Sequence, residues 1–366
     1  MCGCGGGGST PVTPVTPNAA TPTITQSTSN GVQNGAVIVS IASTTPSSTI
    51  YYTMDGSTPT TSSQIYTAPV LVSSNLSIKA IAAASGYNPS DVATQAFTPA
   101  VSSGALVWSD EFANSGSTPA QPNPAIWTYD IGTDCCGNNE LETYCAWGST
   151  TGPCNPNSPN AYVGTDGYLH IVAQQPTVGT ATYTSARLKS EGLFSFQYGR
   201  IEAKIMIPES QGMWPAFWML GNNINTNPWP ACGELDIMEH IDGANTPFGG
   251  PGNGSLPGYD WVQSSIHGTG LNGGQPYTTT GFSAAAWHTY GMIWTKGQIE
   301  YYIDSPSNIY ETFTTTSPGV GTWPFDQGPQ FILLNLAVGG SWPGSPDSTT
   351  VFPSTMLVDY VRIYAN

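Results

Sequence analysis

Along almost the whole chain, short runs of residues alternate between apolar and polar, and scarcely any show the spacing of a helix. AVIVSIA, STIYYTM, APVLVSS and LSIKAIA near the start read as strands. So do GYLHIVAQQ, YGRIEAKIMIP, GELDIMEHI, HTYGMIWTKGQIEYYID, QFILLNLAVGG and MLVDYVRIYA further on. A period of two puts neighbouring side chains on opposite faces, so each run has one face to bury. Only FSAAAWHTY has room to coil, into one short turn at most. The chain is therefore all-β. Its latter part is long and free of repeats, and it needs two large sheets packed face to face.

Composition divides the chain. Residues 1–18 are Gly-rich, then Thr/Pro-rich (STPVTPVTPN). Such a stretch cannot bury apolar surface and reads as a linker. Residues 19–101 hold only short strands, with Asp55-Gly56 as a strong turn signal, and predict a small β-sandwich. A junction at 99–104 (PAVSSG) leads to the main domain, 105–366.

Charge narrows the partners. Acids outnumber bases 23 to 7, for a formal net charge of −16. A nucleic-acid surface needs clustered Lys and Arg, so nucleic acid is set aside and a polyanionic substrate is disfavoured. A neutral partner fits better, and the 11 Trp suit sugar rings. No apolar run is long enough for a membrane-spanning helix, and no signal-peptide core is visible. The 7 Cys show no zinc spacing: Cys135 and Cys136 are adjacent, and no second CxxC follows. Cys145 and Cys154 share a Gly/Asn/Pro-rich loop and suit a bridge in an exported protein. Pairings stay open.

Chemistry concentrates in ACGELDIMEHIDG, residues 231–243. Glu234 and Asp236 are two apart and share a strand face. Regular alternation would turn Glu239 to the other side. A one-residue bulge between Asp236 and Glu239 brings it back, and bulges are common beside active sites. Three carboxyls so close raise one another's pKa, which suits a general acid working near neutral pH. The outer two stand roughly 13 Å apart at Cα. Long side chains leaning together bring their carboxyls to about 5 Å, the separation in a retaining glycosidase. The other reading is three acids on a solvated edge; apolar Leu235, Ile237 and Met238 between them argue for a sheet interior.

GELDIMEH resembles the ExDxxE signature of glycoside hydrolase family 16, in its laminarinase-like branch. VWSDEF, NNELETYC, YTSARLKS, YGRIEAKIMIPESQGMWPAFWMLG, WHTYGMIWT, LNLAVGGSWPG and MLVDYVRIY extend the match in family order. The resemblance implies a jelly-roll β-sandwich with a concave cleft. It also implies Glu234 as nucleophile, Glu239 as acid/base and Asp236 as the partner tuning Glu234. This chain has the longer, bulged form of the motif; lichenases have one residue fewer. The segment IYYTMDGSTPT, IYTAPV, LSIKAIAAASGYNPS is similar to the chitobiase C-terminal-type repeat, an accessory module. Its Tyr51, Tyr52, Tyr66 and Tyr87 are expected in core and strand-pair roles more than on sugars. MCGCGGGGST resembles the mature end of a bacterial lipoprotein, which implies export, a lipid on Cys2 and a cell-surface or extracellular place.

The same resemblance and simple chemistry propose cleft residues. Trp214 and Trp218, four apart on one strand face, offer flat floors for pyranose rings; the other role is core packing. Asn138, Glu140 and Arg187 look like hydroxyl-binding residues, with an Arg187–Glu140 ion pair as the alternative. His267 in SSIHGTG faces substrate or is structural. Trp342 in VGGSWPG walls the cleft, its Gly neighbours suggesting close backbone approach. The family implies no catalytic cofactor. It implies a structural Ca²⁺ far from the cleft, held by Glu111, the Gly167 carbonyl and Asp359. Cys135-Cys136 and the loop to Cys154, together with Ser341 and Lys189, depart from the family pattern and leave fine specificity open. The expected protein is a monomeric retaining endo-β-1,3-glucanase acting on laminarin-like or mixed-linkage glucan. An agar-type galactan hydrolase and a non-catalytic β-glucan-binding protein are the alternatives.

Overall fold

The computed structural model describes residues 15–133, 137–177, 182–241, 260–317, 319 and 321–366. Among them every regular element is a strand. The Ala-rich stretch before His288 makes a single turn, in which the Ala286 N–H donates to the Ser283 carbonyl at 2.9 Å. Nothing there is a helix long and apolar enough to cross a membrane.

The chain divides into two compact units. The smaller comprises residues up to Ile24, Ile41–Tyr66 and Leu76–Ala96. Its sheet runs Gln64–Ile65, Thr49–Thr53, Leu76–Ala83, Ala93–Phe97. Alternation accounts for the buried Ile78, Ala80 and Ala82, and Ile81 between them is buried as well. Tyr52 is buried with them, edge-on to Tyr66 at 5.9 Å.

The larger unit takes in Thr25–Ser40 and Thr67–Asn75 as well as Phe97–Asn366. The partition therefore departs from a simple boundary after residue 101, because strand pairing draws two early segments into the larger unit. Val70–Val72 pairs in parallel with Ser195–Phe196 and antiparallel with Val37–Val39. Gly31 lies so close to the next chain segment that a Cβ there would sit 2.0 Å from the Ser109 carbonyl oxygen; its φ of +86° also favours glycine.

Two sheets form the body of this unit. One runs Arg187–Lys189, Gln330–Val338, Met213–Gly221, Glu234–Glu239, Val262–Gly268, Leu271–Tyr277, all antiparallel. The other runs Ala161–Val163, Leu169–Ala173, Ser354–Tyr364, Gly199–Met206, His288–Thr295, Gln298–Ile303, Ile309–Thr314, with Leu106–Asp110 also on Ser354–Tyr364. Between them lies one core. Phe217, Met219, Leu235, Ile266, Leu334 and Leu336 from the first sheet belong to the same buried cluster as Ile201, Ala203, Met292, Trp294, Tyr301 and Val361 from the second. Each large side chain so buried contributes roughly 1.5–3 kcal/mol. The alternate residues of the first sheet are left for the outer face, which is the jelly-roll sandwich expected from the sequence.

Candidate active site

The outer face of the first sheet lines a cleft of ≈ 1150 Å³. On Glu234–Glu239 the alternation breaks once. Asp236 stands opposite Trp218 and Met238 opposite Phe217, so Ile237 is the extra residue of a bulge. The other neighbour shows the same shift between Asp236 and Glu239. The bulge lets Met238 join the core while Glu239 turns back to the cleft. Glu234, Asp236 and Glu239 all line it.

Their partners set their charge. Asp236 is 2% exposed. Its Oδ2 accepts the Ser265 hydroxyl at 2.6 Å and faces His267 Nε2 at 3.1 Å. The Ser265 hydroxyl also lies 3.4 Å from Glu239 Oε2, and Trp214 Nε1 donates to Glu239 Oε1 at 3.0 Å. Burial and then the charge of Asp236 push Glu239 up to about 8, against the Trp214 hydrogen bond. It therefore holds a proton at neutral pH, as a general acid must. Burial and then Asp236 raise Glu234 well above the carboxylate range too, while the charge of His267 acts the other way. The Trp229 indole N–H donates to Glu234 Oε2, which favours the anion. Burial pushes His267 down, but its hydrogen bond to Asp236 and the charges of Asp236, Glu234 and Glu239 outweigh that and lift it to about 9. An imidazolium thus sits among the three carboxyls and offsets part of their charge.

The aromatic and polar candidates gather on the same cleft: Asn138, Glu140, Arg187, Trp214, Trp218, His267 and Trp342 all line it. Trp214 and Trp342 meet edge to face at 5.3 Å. Arg187 lies 4.5 Å over the Trp218 ring and covers one of its faces. Among the described residues Arg187 forms its ion pair with Asp130, at 3.1 Å, rather than with Glu140. Asp130 is also paired with Lys189 at 2.6 Å, so it anchors two of the seven bases at this end of the cleft. Glu140 instead accepts the Asn138 backbone N–H at 3.0 Å. Close backbone approach near Trp342 is real: a Cβ on Gly340 would lie 3.2 Å from the Asn138 carbonyl oxygen and 3.6 Å from the Trp214 ring.

The residues expected to hold Ca²⁺ do not present an open donor set. Both Glu111 carboxylate oxygens accept hydrogen bonds from Arg362, at 2.9 and 2.7 Å. Asp359 is paired with Lys204 at 2.8 Å. A divalent ion would have to displace two resident cations, so these side chains do not fit a calcium site as they stand. Cys145 and Cys154 are bridged, with Cα atoms 5.7 Å apart, and Cys232 is a buried free thiol. Cys2, Cys135 and Cys136 lie outside the described residues.

Four site residues were not singled out from sequence: Trp229, Ser265, Asn335 and Asp130. Ser265 was reachable, being two before His267 on the same strand face. Asn335 was too, as the one polar residue in the apolar run FILLNLAV; its Oδ1 accepts Trp218 Nε1 at 2.7 Å. Trp229 sits in an aperiodic Pro-rich loop, where no pattern points to it.

The family model described as "Glycosyl hydrolases family 16" matches residues 157–362. The chain belongs to glycosyl hydrolases family 16. A relative, "Beta-glucanase" of Rhodothermus marinus, is 36% identical over 71% of this chain and 84% of its own length. "Glucan endo-1,3-beta-glucosidase A1" of Niallia circulans is 32% identical over 73% of this chain but only 38% of that longer protein. The catalytic domain of an endo-1,3-beta-glucanase (laminarinase) from Thermotoga petrophila superposes with a TM-score of 0.59 at 34% identity, over 73% of this chain and 99% of that one. Residues 39–97 match a model described as "Fn3 associated", compatible with the small β-sandwich expected there.

Proposed function

We propose that this family 16 protein is a retaining endo-hydrolase of β-1,3-glucosidic bonds in laminarin-like or mixed-linkage β-glucan. The observation that carries the chemistry is the bulged strand, which sets Glu234, Asp236 and Glu239 together on the cleft face. The named activities of the relatives support the substrate, as does a cleft walled by Trp214, Trp218 and Trp342.

One of the two raised acids must be ionised, and the charge of His267 and the Trp229 N–H favour the anion at Glu234. The Glu234 carboxylate therefore attacks the anomeric carbon while the Glu239 proton passes to the departing glycosidic oxygen. The bond to the leaving sugar breaks as the bond to Glu234 forms. Glu239, now ionised, takes a proton from water; the hydroxide oxygen bonds to the anomeric carbon and Glu234 departs. Asp236 tunes Glu234 through their shared electrostatics, and no cofactor is needed.

The finer parts of the reading are export and a cell-surface or extracellular place, with a lipid on Cys2 and action as a monomer. The Cys145–Cys154 bridge suits an oxidising compartment. The small module serves as a spacer. Mass spectrometry of the native N-terminus checks the lipid: an unmodified Cys2 rules it out.

Reducing-sugar release from laminarin, curdlan, barley mixed-linkage glucan, cellulose, agarose and κ-carrageenan tests the substrate, with Glu234→Gln as control. Release from laminarin that disappears in the variant is expected. Release from agarose alone keeps the mechanism and overturns the polymer. Silence on all six points to a binding protein, against which the three acids argue.

A further inference from the structure

The strand Glu142–Tyr144 carries a carboxylate that the reaction does not use. Glu142 is 3% exposed. Its Oε2 accepts the Val338 backbone N–H at 2.8 Å. The Tyr144 hydroxyl, on the same strand face, lies beside the carboxylate and favours its charge. Its Oε1 is buried with no hydrogen-bond partner among the described residues. Burial pushes this acid up to about 7 despite those hydrogen bonds. A buried carboxyl with one oxygen unsatisfied is costly as a packing element, so what it holds matters.

Two cleft-bearing segments meet at Glu142. The Leu141 N–H donates to the Val338 carbonyl at 2.8 Å, and the Ser341 N–H to the Asn138 carbonyl at 2.7 Å. The Asn139 side-chain amide donates to the Ser341 hydroxyl at 2.8 Å. One segment carries Asn138 and Glu140, the other Trp342, all on the cleft. A second branch leaves through Tyr144. Asn335 Nδ2 donates to the Tyr144 hydroxyl at 3.4 Å, and Asn335 Oδ1 accepts the Trp218 indole N–H at 2.7 Å. Glu142 is thus bonded to one wall of the cleft and linked through two side chains to its floor.

We propose that Glu142 is a positioning residue of the cleft, latching the segment of Asn138 and Glu140 to the Trp342 loop and setting the plane of Trp218 through Tyr144 and Asn335. Its kinetic consequence rests on the β-glucanase reading; its structural consequence does not. Glutamine keeps an acceptor for the Val338 N–H and can bond to Tyr144. Leucine keeps only bulk.

The test compares Glu142→Gln, Glu142→Leu and Tyr144→Phe in the full chain. Amide ¹H–¹⁵N spectra follow the Trp218 indole N–H, assigned with Trp218→Phe, and hydrogen exchange at Val338. Initial rates on laminarin give KM and kcat. In Glu142→Leu the indole signal shifts, Val338 exchanges at least ~10-fold faster, and KM rises about tenfold while kcat stays within about threefold. Glu142→Gln stays near wild type in all of these. Tyr144→Phe shifts the indole signal and leaves Val338 exchange as it was. The proposal is overturned by an unchanged indole signal in Tyr144→Phe, by unchanged Val338 exchange in Glu142→Leu, by Glu142→Gln being as impaired as Glu142→Leu, or by a lower Tm with unchanged KM. A wild type silent on laminarin defeats the substrate reading instead, and the spectra still decide the latch.

Discussion

Glu239 can act as an acid near neutral pH because of where it is buried and what stands beside it. Burial and Asp236 raise it to about 8. The protonated form is the active one in the first step, so kcat/KM should fall as pH rises through about 8. Asp236→Asn removes a charge that raises Glu239, so the alkaline limb should move to lower pH along with the loss of rate. A limb that stays in place would show that Asp236 does not set it. Glu239→Gln should cost about 10²–10⁴-fold in kcat on glucan, and much less on an aryl glycoside whose leaving group needs no proton. A pH–rate series and the two substrates check both. The acids themselves were legible in sequence because period two and a bulge suffice to place them. Trp229 was not, since its hydrogen bond to Glu234 comes from a loop without periodicity.

At the scale of elements, strand identity was readable almost everywhere, because one buried face imposes alternation. The single turn before His288 was readable too. Less legible was where one unit ends: Val70–Val72 and Val37–Val39 are strands by pattern, but which sheet takes them depends on pairing with Ser195–Phe196, far along the chain. The same holds at the cleft rim, where Gly340 has a φ of +120° and a Cβ there would lie 3.2 Å from the Asn138 carbonyl oxygen. Gly340→Ala places a side chain in a strained backbone region and against that carbonyl. It should lower stability by about 1–3 kcal/mol and raise KM as the rim shifts. Urea unfolding with steady-state kinetics measures both; an unchanged KM would separate the rim from substrate binding.

For the whole molecule, the buried acids dictate how stability varies with pH. Glu142 and Glu311 are raised to about 7 and Glu239 to about 8, in each case chiefly by burial. A raised acid binds more protons folded than unfolded, so its contribution is full below the unfolded pKa near 4.5 and is lost as pH rises through 7 to 8. His240, pushed down to about 4 by burial, works at the other end: below its ordinary value near 6.5 the unfolded imidazole takes up a proton that the folded one refuses, so stability is lost as pH falls from there toward 4. Tm should therefore peak at about pH 5–6 and decline toward 8; a Tm that climbs from pH 6 to 8 would contradict this. The calcium expectation came from family likeness alone, and nothing in the strand pattern could show that Arg362 and Lys204 occupy those carboxylates. A chelator should leave Tm unchanged, and a rise on adding Ca²⁺ would show that the two cations yield.

The central claim is double displacement through Glu234 with Glu239 as acid/base, and the anomeric configuration of the first product tests it most directly. Proton NMR during early hydrolysis of laminarin should show the β-anomer at the new reducing end first, with the α-anomer appearing only as the sugar equilibrates. Early appearance of the α-anomer would mean direct attack by water, and Glu234 could not then be the nucleophile.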